Sequence, residues 1–156
     1  MVKDLLLTIR YKNLIILSLL FACFEFFIYN KEVLIHFNNS SLYFYAIVVI
    51  TAAGGYVIND LFDKKGDQLN NKRIFNSYSE VTLLLIYISL TLLSVILAIA
   101  FTNKAMQQVT ILAILFLLLY SWKLQHWPII GNVTIALLAS FVPIMVFIAH
   151  PEFSPI

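Results

Sequence analysis

The sequence predicts an all-α membrane protein with about five transmembrane helices. Hydrophobic residues make up 62% of its 156 residues and charged residues only 12%, and the mean hydropathy is +0.92. Soluble domains carry about 25% charged residues, so this composition is typical of a chain that faces lipid. The apolar residues form runs close to the ~20 residues that a helix needs to cross a bilayer. Because these runs lack the alternation of barrel strands, we expect helices, which satisfy their own backbone polar groups in lipid.

Five apolar runs are interpreted as membrane spans. They cover about residues 14–29, 42–58, 81–101, 105–122 and 132–149. The connections between them are short, and the longest one, residues 60–80, follows the second span. We therefore expect residues 1–156 to form a single transmembrane helical domain.

The basic residues lie mainly on one side of the predicted spans. Eight of them fall before the first span, between the second and third, or after the fourth: Lys3, Arg10, Lys12, Lys64, Lys65, Lys72, Arg73 and Lys123. Only Lys31 and Lys104 fall on the other side. Cytoplasmic loops of membrane proteins are enriched in Lys and Arg. We expect an integral membrane protein, in the inner or plasma membrane if bacterial, with its N terminus and the segment after the second span in the cytoplasm.

An N-D-x-x-D-x-x-x-D cluster directly follows the second apolar run. Its residues are Asn59, Asp60, Asp63 and Asp67. If the second helix continues through the cluster, these spacings place the carboxylates along one helix face. Neighbouring carboxylates repel each other and are costly beside hydrocarbon, so the pattern indicates a bound cation. Oxygen ligands select hard cations such as Mg²⁺ or Ca²⁺, and Mg²⁺ usually completes its shell with waters and substrate phosphates.

The alternative interpretation of this cluster is a solvated cytoplasmic loop whose charges only set the topology. The register of the aspartates and their position directly after hydrocarbon favour a functional site. The basic residues nearby, Lys64, Lys65, Lys72 and Arg73, would suit a polyphosphate. For Lys64 and Lys65, however, the topology alone is a sufficient explanation.

Residues 59–67 resemble the first aspartate-rich motif of the UbiA family of membrane prenyltransferases at every fixed position. Weaker similarities support the comparison. Residues 10–13 resemble the family's R-P-x-N pattern with Tyr11 in place of proline, and residues 70–73 resemble its N-x-P-x-R pattern without the proline. Residues 120–132 resemble the end of the fourth helix and the start of the fifth. The resemblance covers the whole chain in order.

The resemblance implies Mg²⁺-dependent transfer of a prenyl group from an allylic pyrophosphate to an aromatic or polar-lipid acceptor. It assigns the metal to Asn59, Asp60, Asp63 and Asp67, with the three aspartates as catalytic residues, and the pyrophosphate to Arg73, Lys123 and Arg10. The implied partners are prenyl pyrophosphate, a membrane-soluble acceptor and the lipid bilayer, with no nucleic acid. The acceptor and the length of the prenyl chain stay open.

The family's nine-helix bundle has a second aspartate-rich motif, and these 156 residues do not contain one. After Glu80 the only acidic residue is Glu152. We therefore expect the N-terminal part of the bundle, an incomplete UbiA-like prenyltransferase domain that is truncated or is completed by a partner chain. The alternative is a non-catalytic small integral membrane protein that retains a site for a divalent cation or pyrophosphate. Whether the chain alone is an enzyme stays open between the two.

Overall fold

A computed structural model describes residues 2–29, 39–69 and 78–149, with side chains for residues 3–26, 42–64 and 78–148. In these segments the chain forms helices and no strand, which confirms the predicted class. The α-helices are α1 (Val2–Thr8), α2 (Tyr11–Tyr29), α3 (Asn39–Leu69), α4 (Glu80–Phe101), α5 (Lys104–Trp122) and α6 (Pro128–Ala149). A short 3-10 helix, Leu124–His126, lies between α5 and α6.

Four helices in the described segments are long and apolar enough to cross a membrane. These stretches are Leu42–Lys64, Glu80–Phe101, Lys104–Trp122 and Pro128–Ile148. They contain the second, third and fourth predicted spans and all but the last residue of the fifth. The first predicted span lies in α2, whose side chains are described only as far as Phe26. Many large apolar side chains point outward, among them Ile96 and Ile99. Such an apolar exterior suits lipid, and the protein is an integral membrane protein.

Local capping explains where the later helices begin. The Ser79 side chain accepts a hydrogen bond from the Thr82 N–H at the start of α4, and Asn103 does the same for Met106 at the start of α5. These bonds satisfy backbone donors that have no partner within the helix. Pro128 begins α6, where its missing N–H costs nothing.

Two boundaries differ from those predicted. First, α3 continues to Leu69, so the acidic cluster is helical and the connection to α4 is shorter than expected. A hydrogen bond between the side chains of Asn59 and Asp63, four residues apart, supports this helical continuation. Second, α1 precedes the first span and is separated from α2 by Ile9 and Arg10. Arg10 has a left-handed backbone with φ of 51°, which breaks the helix at that point.

Helix α3 is the centre of the bundle and packs against α2, α4, α5 and α6. The main cluster of buried side chains joins the first part of α3 to the other helices: Phe21, Phe44, Ile47, Val48, Ala98, Met106, Val142, Met145 and Val146. This core lies at the opposite end of the bundle from Asn59. Its residues in α4, α5 and α6 are far along those helices from the α3–α4 and α5–α6 connections, and these connections lie near the acidic cluster. Buried apolar side chains, among them Val57 and Ile58, also lie directly beside Asn59 at the acidic end.

Two adjacent glycines bring α4 and α5 close to α3 one turn before the cluster. A Cβ atom at Gly54 would lie 3.7 Å from Leu90 Cβ of α4, and one at Gly55 would lie 2.7 Å from Leu117 Cδ2 of α5. Small residues allow the backbones of membrane helices to approach closely. The Gly55 position therefore admits no side chain without a movement of Leu117.

Candidate functional site

Asn59 and Asp63 form a bonded pair on successive turns of α3. Asn59 Nδ2 donates a hydrogen bond of 2.7 Å to Asp63 Oδ2. Because a carboxylate only accepts, this bond orients the amide and leaves its oxygen directed elsewhere. Asn59 is buried, with 8% of its surface exposed, and its Oδ1 atom has no hydrogen-bond partner among the described residues. The site therefore contains a buried, oriented amide oxygen that has no hydrogen-bond partner among the described residues.

The second oxygen of Asp63 is bound by a residue from a different part of the chain. Gln125 Nε2 donates to Asp63 Oδ1 at 2.8 Å and to the Ser121 carbonyl oxygen at 3.1 Å. The sequence analysis did not identify Gln125, and no spacing rule relates residues 62 positions apart. Both carboxylate oxygens of Asp63 are thus fixed, and the connection between α5 and α6 is held at the acidic end of the bundle.

Asp60 contacts the junction between α1 and α2. Arg10 Nη2 lies 3.3 Å from Asp60 Oδ1, and the Arg10 guanidinium carbon lies 5.3 Å from the centre of the Tyr56 ring. Tyr56 and Asp60 are four residues apart and share one face of α3. The predicted pyrophosphate residue Arg10 is therefore brought to the predicted metal ligand Asp60.

The remaining predicted residues are placed less completely. The backbone of Asp67 belongs to α3, but its side chain and all of Arg73 lie outside the described residues. Lys123 is exposed at the end of α5, two residues before Gln125, with no side-chain hydrogen bond or ion pair to a described residue. Lys64 Nζ donates a hydrogen bond of 2.6 Å to the Tyr78 carbonyl oxygen and so links α3 to the residues just before α4.

The oxygen atoms that the described residues could offer as metal ligands suit a hard cation. Among the side chains of residues 3–26, 42–64 and 78–148, no three His, Cys, Asp or Glu side chains converge as a metal-binding group. The described donors are instead two carboxylates, Asp60 and Asp63, and the amide oxygen of Asn59. Oxygen-only sets select Mg²⁺ or Ca²⁺. The unpaired Asn59 Oδ1 supports this fit, because a buried polar atom without a partner is costly and calls for an explanation.

An apolar cavity of about 210 Å³ lies beside α3, between α2, α5 and α6. Its lining includes Leu17, Val48, Tyr56, Leu117 and Val142. Tyr56 thus lines the cavity and also contacts Arg10. The ionic cluster and an apolar space suited to a hydrocarbon chain therefore adjoin each other along α3.

Comparison with known sequences identifies the relatives of this chain. The model of the UbiA prenyltransferase family matches residues 18–155. Digeranylgeranylglyceryl phosphate synthase of Thermococcus gammatolerans is 34% identical over 103 residues, which cover 64% of this chain and 37% of that protein. The protein of the same name from Thermococcus kodakarensis is 32% identical over 111 residues, covering 69% of this chain and 40% of that protein. The chain thus spans less than half the length of these relatives.

A solved structure gives the same result for the fold. That structure concerns the biosynthesis of digeranylgeranylglyceryl phosphate synthase in membranes. This chain matches it with a TM-score of 0.79 at 27% sequence identity, over 95% of this chain and 53% of that chain. The sequence match over residues 18–155 and this shared helical bundle confirm the resemblance seen at residues 59–67: the chain belongs to the UbiA prenyltransferase family.

Proposed function

We propose that the chain provides the first metal site and part of the prenyl cavity of a Mg²⁺-dependent prenyltransferase. The reaction moves a prenyl group from an allylic diphosphate to a polar lipid acceptor. The observation that carries the proposal is the oriented Asn59–Asp63 pair with its unpaired amide oxygen, next to Asp60 and to an apolar cavity. The names of the two Thermococcus relatives favour a prenylated glyceryl phosphate over an aromatic ring as the acceptor.

The metal ligands in this proposal are Asn59, Asp60, Asp63 and Asp67. These residues would hold Mg²⁺, which would supply Lewis-acid stabilisation of the negative charge on the diphosphate. Asn59 Nδ2 and Gln125 Nε2 each hold one oxygen of Asp63, so this carboxylate is oriented before a cation binds. Ordering the ligand in advance reduces the reorganisation that binding would otherwise require.

The basic residues and the cavity have separate roles. Arg10, Lys123 and Arg73 place positive charge where negative charge grows on the leaving diphosphate. The cavity beside α3 takes the prenyl tail and excludes the water that would capture an allylic cation. Acidic end and cavity are adjacent along α3, so one substrate can reach both.

Two further parts of the proposal concern the surroundings of the site. The acidic end faces the cytoplasm, because Arg10, Lys64 and Lys123 belong to the basic side defined by the sequence. The family's second aspartate-rich motif has no counterpart after residue 67, where Glu80 and Glu152 are the acidic residues. In this proposal the metal ligands of the second motif come from residues outside this 156-residue sequence, for example from a partner chain.

The site is tested first by metal binding to the purified chain in detergent. Mn²⁺ replaces Mg²⁺ as the probe, and electron paramagnetic resonance reports the free ion. Asp63→Asn should weaken Mn²⁺ binding by about tenfold or more, the size of effect seen when metal sites lose an oriented ligand or its support. Glu80→Gln is the matched control, since Glu80 is an exposed carboxylate in the first turn of α4. Equal weakening by the two substitutions would contradict the assignment.

Prenyl transfer is then measured with Mg²⁺ and geranylgeranyl diphosphate. A glyceryl phosphate with one prenyl ether and a phenolic acid serve as the competing acceptors. Transfer to the glyceryl phosphate that Asp60→Ala and Asp63→Ala abolish would support the proposal, and transfer that survives both would overturn it. Binding of pyrophosphate that requires Asp63, with no transfer to either acceptor even when the chain that completes the site is supplied, would favour the non-catalytic alternative.

A further inference from the structure

Arg10 is constrained both at its backbone and at its guanidinium group. Its backbone is left-handed, which is unfavourable for a residue with a side chain, and its carbonyl oxygen accepts hydrogen bonds from Asn13 N and Leu14 N at the start of α2. Its guanidinium stacks over the Tyr56 ring at 5.3 Å and pairs with Asp60 at 3.3 Å. An exposed arginine on a flexible stem would not keep this position without such contacts.

Tyr56 connects the two parts of the site. Its ring lines the apolar cavity and also contacts the Arg10 guanidinium. Tyr56 lies one helical turn before Asp60 in α3. An aromatic ring attracts a cation through its negative face, and this attraction depends on the ring and not on the hydroxyl group. The contact therefore fixes the direction in which Arg10 points.

We propose that Tyr56 is a positioning residue that holds Arg10 against Asp60 as an internal counter-ion, which a divalent cation must replace before Arg10 turns to the diphosphate. The inference rests on the proposed metal site. Arg10 contacts Asp60 Oδ1, and in the proposed site the Asp60 carboxylate is also a ligand of the cation. Arginine and metal ion therefore compete for it, and the ring of Tyr56 favours the arginine.

This competition predicts two effects of opposite sign. Without the ring, Arg10 is held less firmly, so a cation alone binds more tightly. The same loss leaves Arg10 poorly placed for an anion, so pyrophosphate binds more weakly. Damage to the site would weaken both, and a role confined to lining the cavity would change neither.

The experiment compares Tyr56→Leu with Tyr56→Phe in the purified chain. Tyr56→Leu keeps an apolar cavity lining without the ring, and Tyr56→Phe keeps the ring. Tyr56→Leu should tighten Mn²⁺ binding by about fivefold and weaken Mn²⁺-dependent binding of inorganic pyrophosphate by about fivefold, as expected for one cation–π contact. Tyr56→Phe should match the parent chain. Tyr87→Leu is the matched control, because the Tyr87 ring packs near Gly54 at the interface with α4.

The Arg10→Leu variant removes the same contact between Arg10 and Tyr56 by changing Arg10. It should also tighten Mn²⁺ binding, and adding Tyr56→Leu to it should produce no further change, because the two residues act through one interaction. If Tyr56→Leu fails to fold by circular dichroism, Arg10→Leu alone decides, and unchanged or weaker Mn²⁺ binding in it overturns the inference.

The outcomes separate this inference from the proposed function. A parent chain that binds no Mn²⁺ overturns both. Parent binding that Asp63→Asn weakens and folded Tyr56→Leu leaves unchanged overturns the inference alone. Weaker binding of both probes by Tyr56→Leu assigns Tyr56 a purely structural role and also overturns it.

Discussion

Alanine at each of the two adjacent glycines of α3 tests how closely α3 and α5 approach beside the cavity. At Gly55 the new Cβ would lie 2.7 Å from Leu117 Cδ2 and 3.0 Å from Leu117 Cδ1, so Leu117 must move. At Gly54 the nearest atom, Leu90 Cβ, would lie 3.7 Å away, which is ordinary van der Waals contact. The two substitutions are chemically identical and one residue apart, so the difference between them reports the packing.

The magnitude follows from two opposing contributions to the free energy of unfolding. Alanine is favoured over glycine in a helix interior by about 1 kcal/mol, and this gain applies to both positions. Overpacking costs about 1–3 kcal/mol and applies only to Gly55. The clashing atoms are the ends of the Leu117 side chain, which lines the cavity and can move, so the cost falls at the lower end of that range. Gly54→Ala should therefore stabilise the chain, and Gly55→Ala should be less stable than Gly54→Ala by about 1 kcal/mol. For a chain of this size that difference corresponds to about 2–4 °C in Tm.

The assay is thermal unfolding in a single detergent at a single heating rate, followed by tryptophan fluorescence. A constant rate is needed because an irreversible transition depends on it. Adding Leu117→Ala to Gly55→Ala removes the clashing atoms and should narrow the gap caused by overpacking. Equal Tm values for the two glycine variants would refute the close approach of α3 and α5.

Two further predictions use hydrogen bonds at opposite ends of the bundle. Gln125→Leu should weaken Mn²⁺ binding about tenfold, because one oxygen of Asp63 loses its donor. Gln107→Leu is the control and should not weaken it, because among the described residues the Gln107 amide donates to backbone carbonyl oxygens at the far end of the bundle. Similar affinities for the two variants would argue against positioning by Gln125. Asn103→Ala should destabilise the chain by about 1 kcal/mol through loss of the α5 N-cap, seen as a lower Tm, and an equal loss in the exposed-site variant Gln108→Ala would contradict that origin.

The elements that the sequence predicted correctly depend on residues that are close together in the sequence. The second to fifth spans follow from runs of apolar residues, and the register of Asp60 and Asp63 follows from helical spacing. The length of α3 was underestimated, because charged residues after Ile58 were assigned to the connection when they continue the helix. Side-chain hydrogen bonds such as that between Asn59 and Asp63 support the helix beyond the end of the apolar run.

The contacts that complete the site depend on residues far apart in the chain. Nothing in the order of residues indicates that Gln125 donates to Asp63 or that Arg10 stacks on Tyr56. The resemblance placed Arg10 on the pyrophosphate, and the structure pairs it with Asp60. These contacts arise from the way in which helices cross, which spacing within one helix does not encode.

The sequence by itself determined the helical membrane class, the family and the face of α3 on which Asp60 and Asp63 lie, because hydrophobicity and helical period act over a few residues. Only the tertiary structure decided which partners meet that face and where the apolar cavity lies. The physical reason is that side-chain packing sets the distances between helices, as at Gly54 and Gly55, where α4 and α5 approach α3. Those distances bring Arg10 and Gln125 to the carboxylates and leave the space that Tyr56 borders.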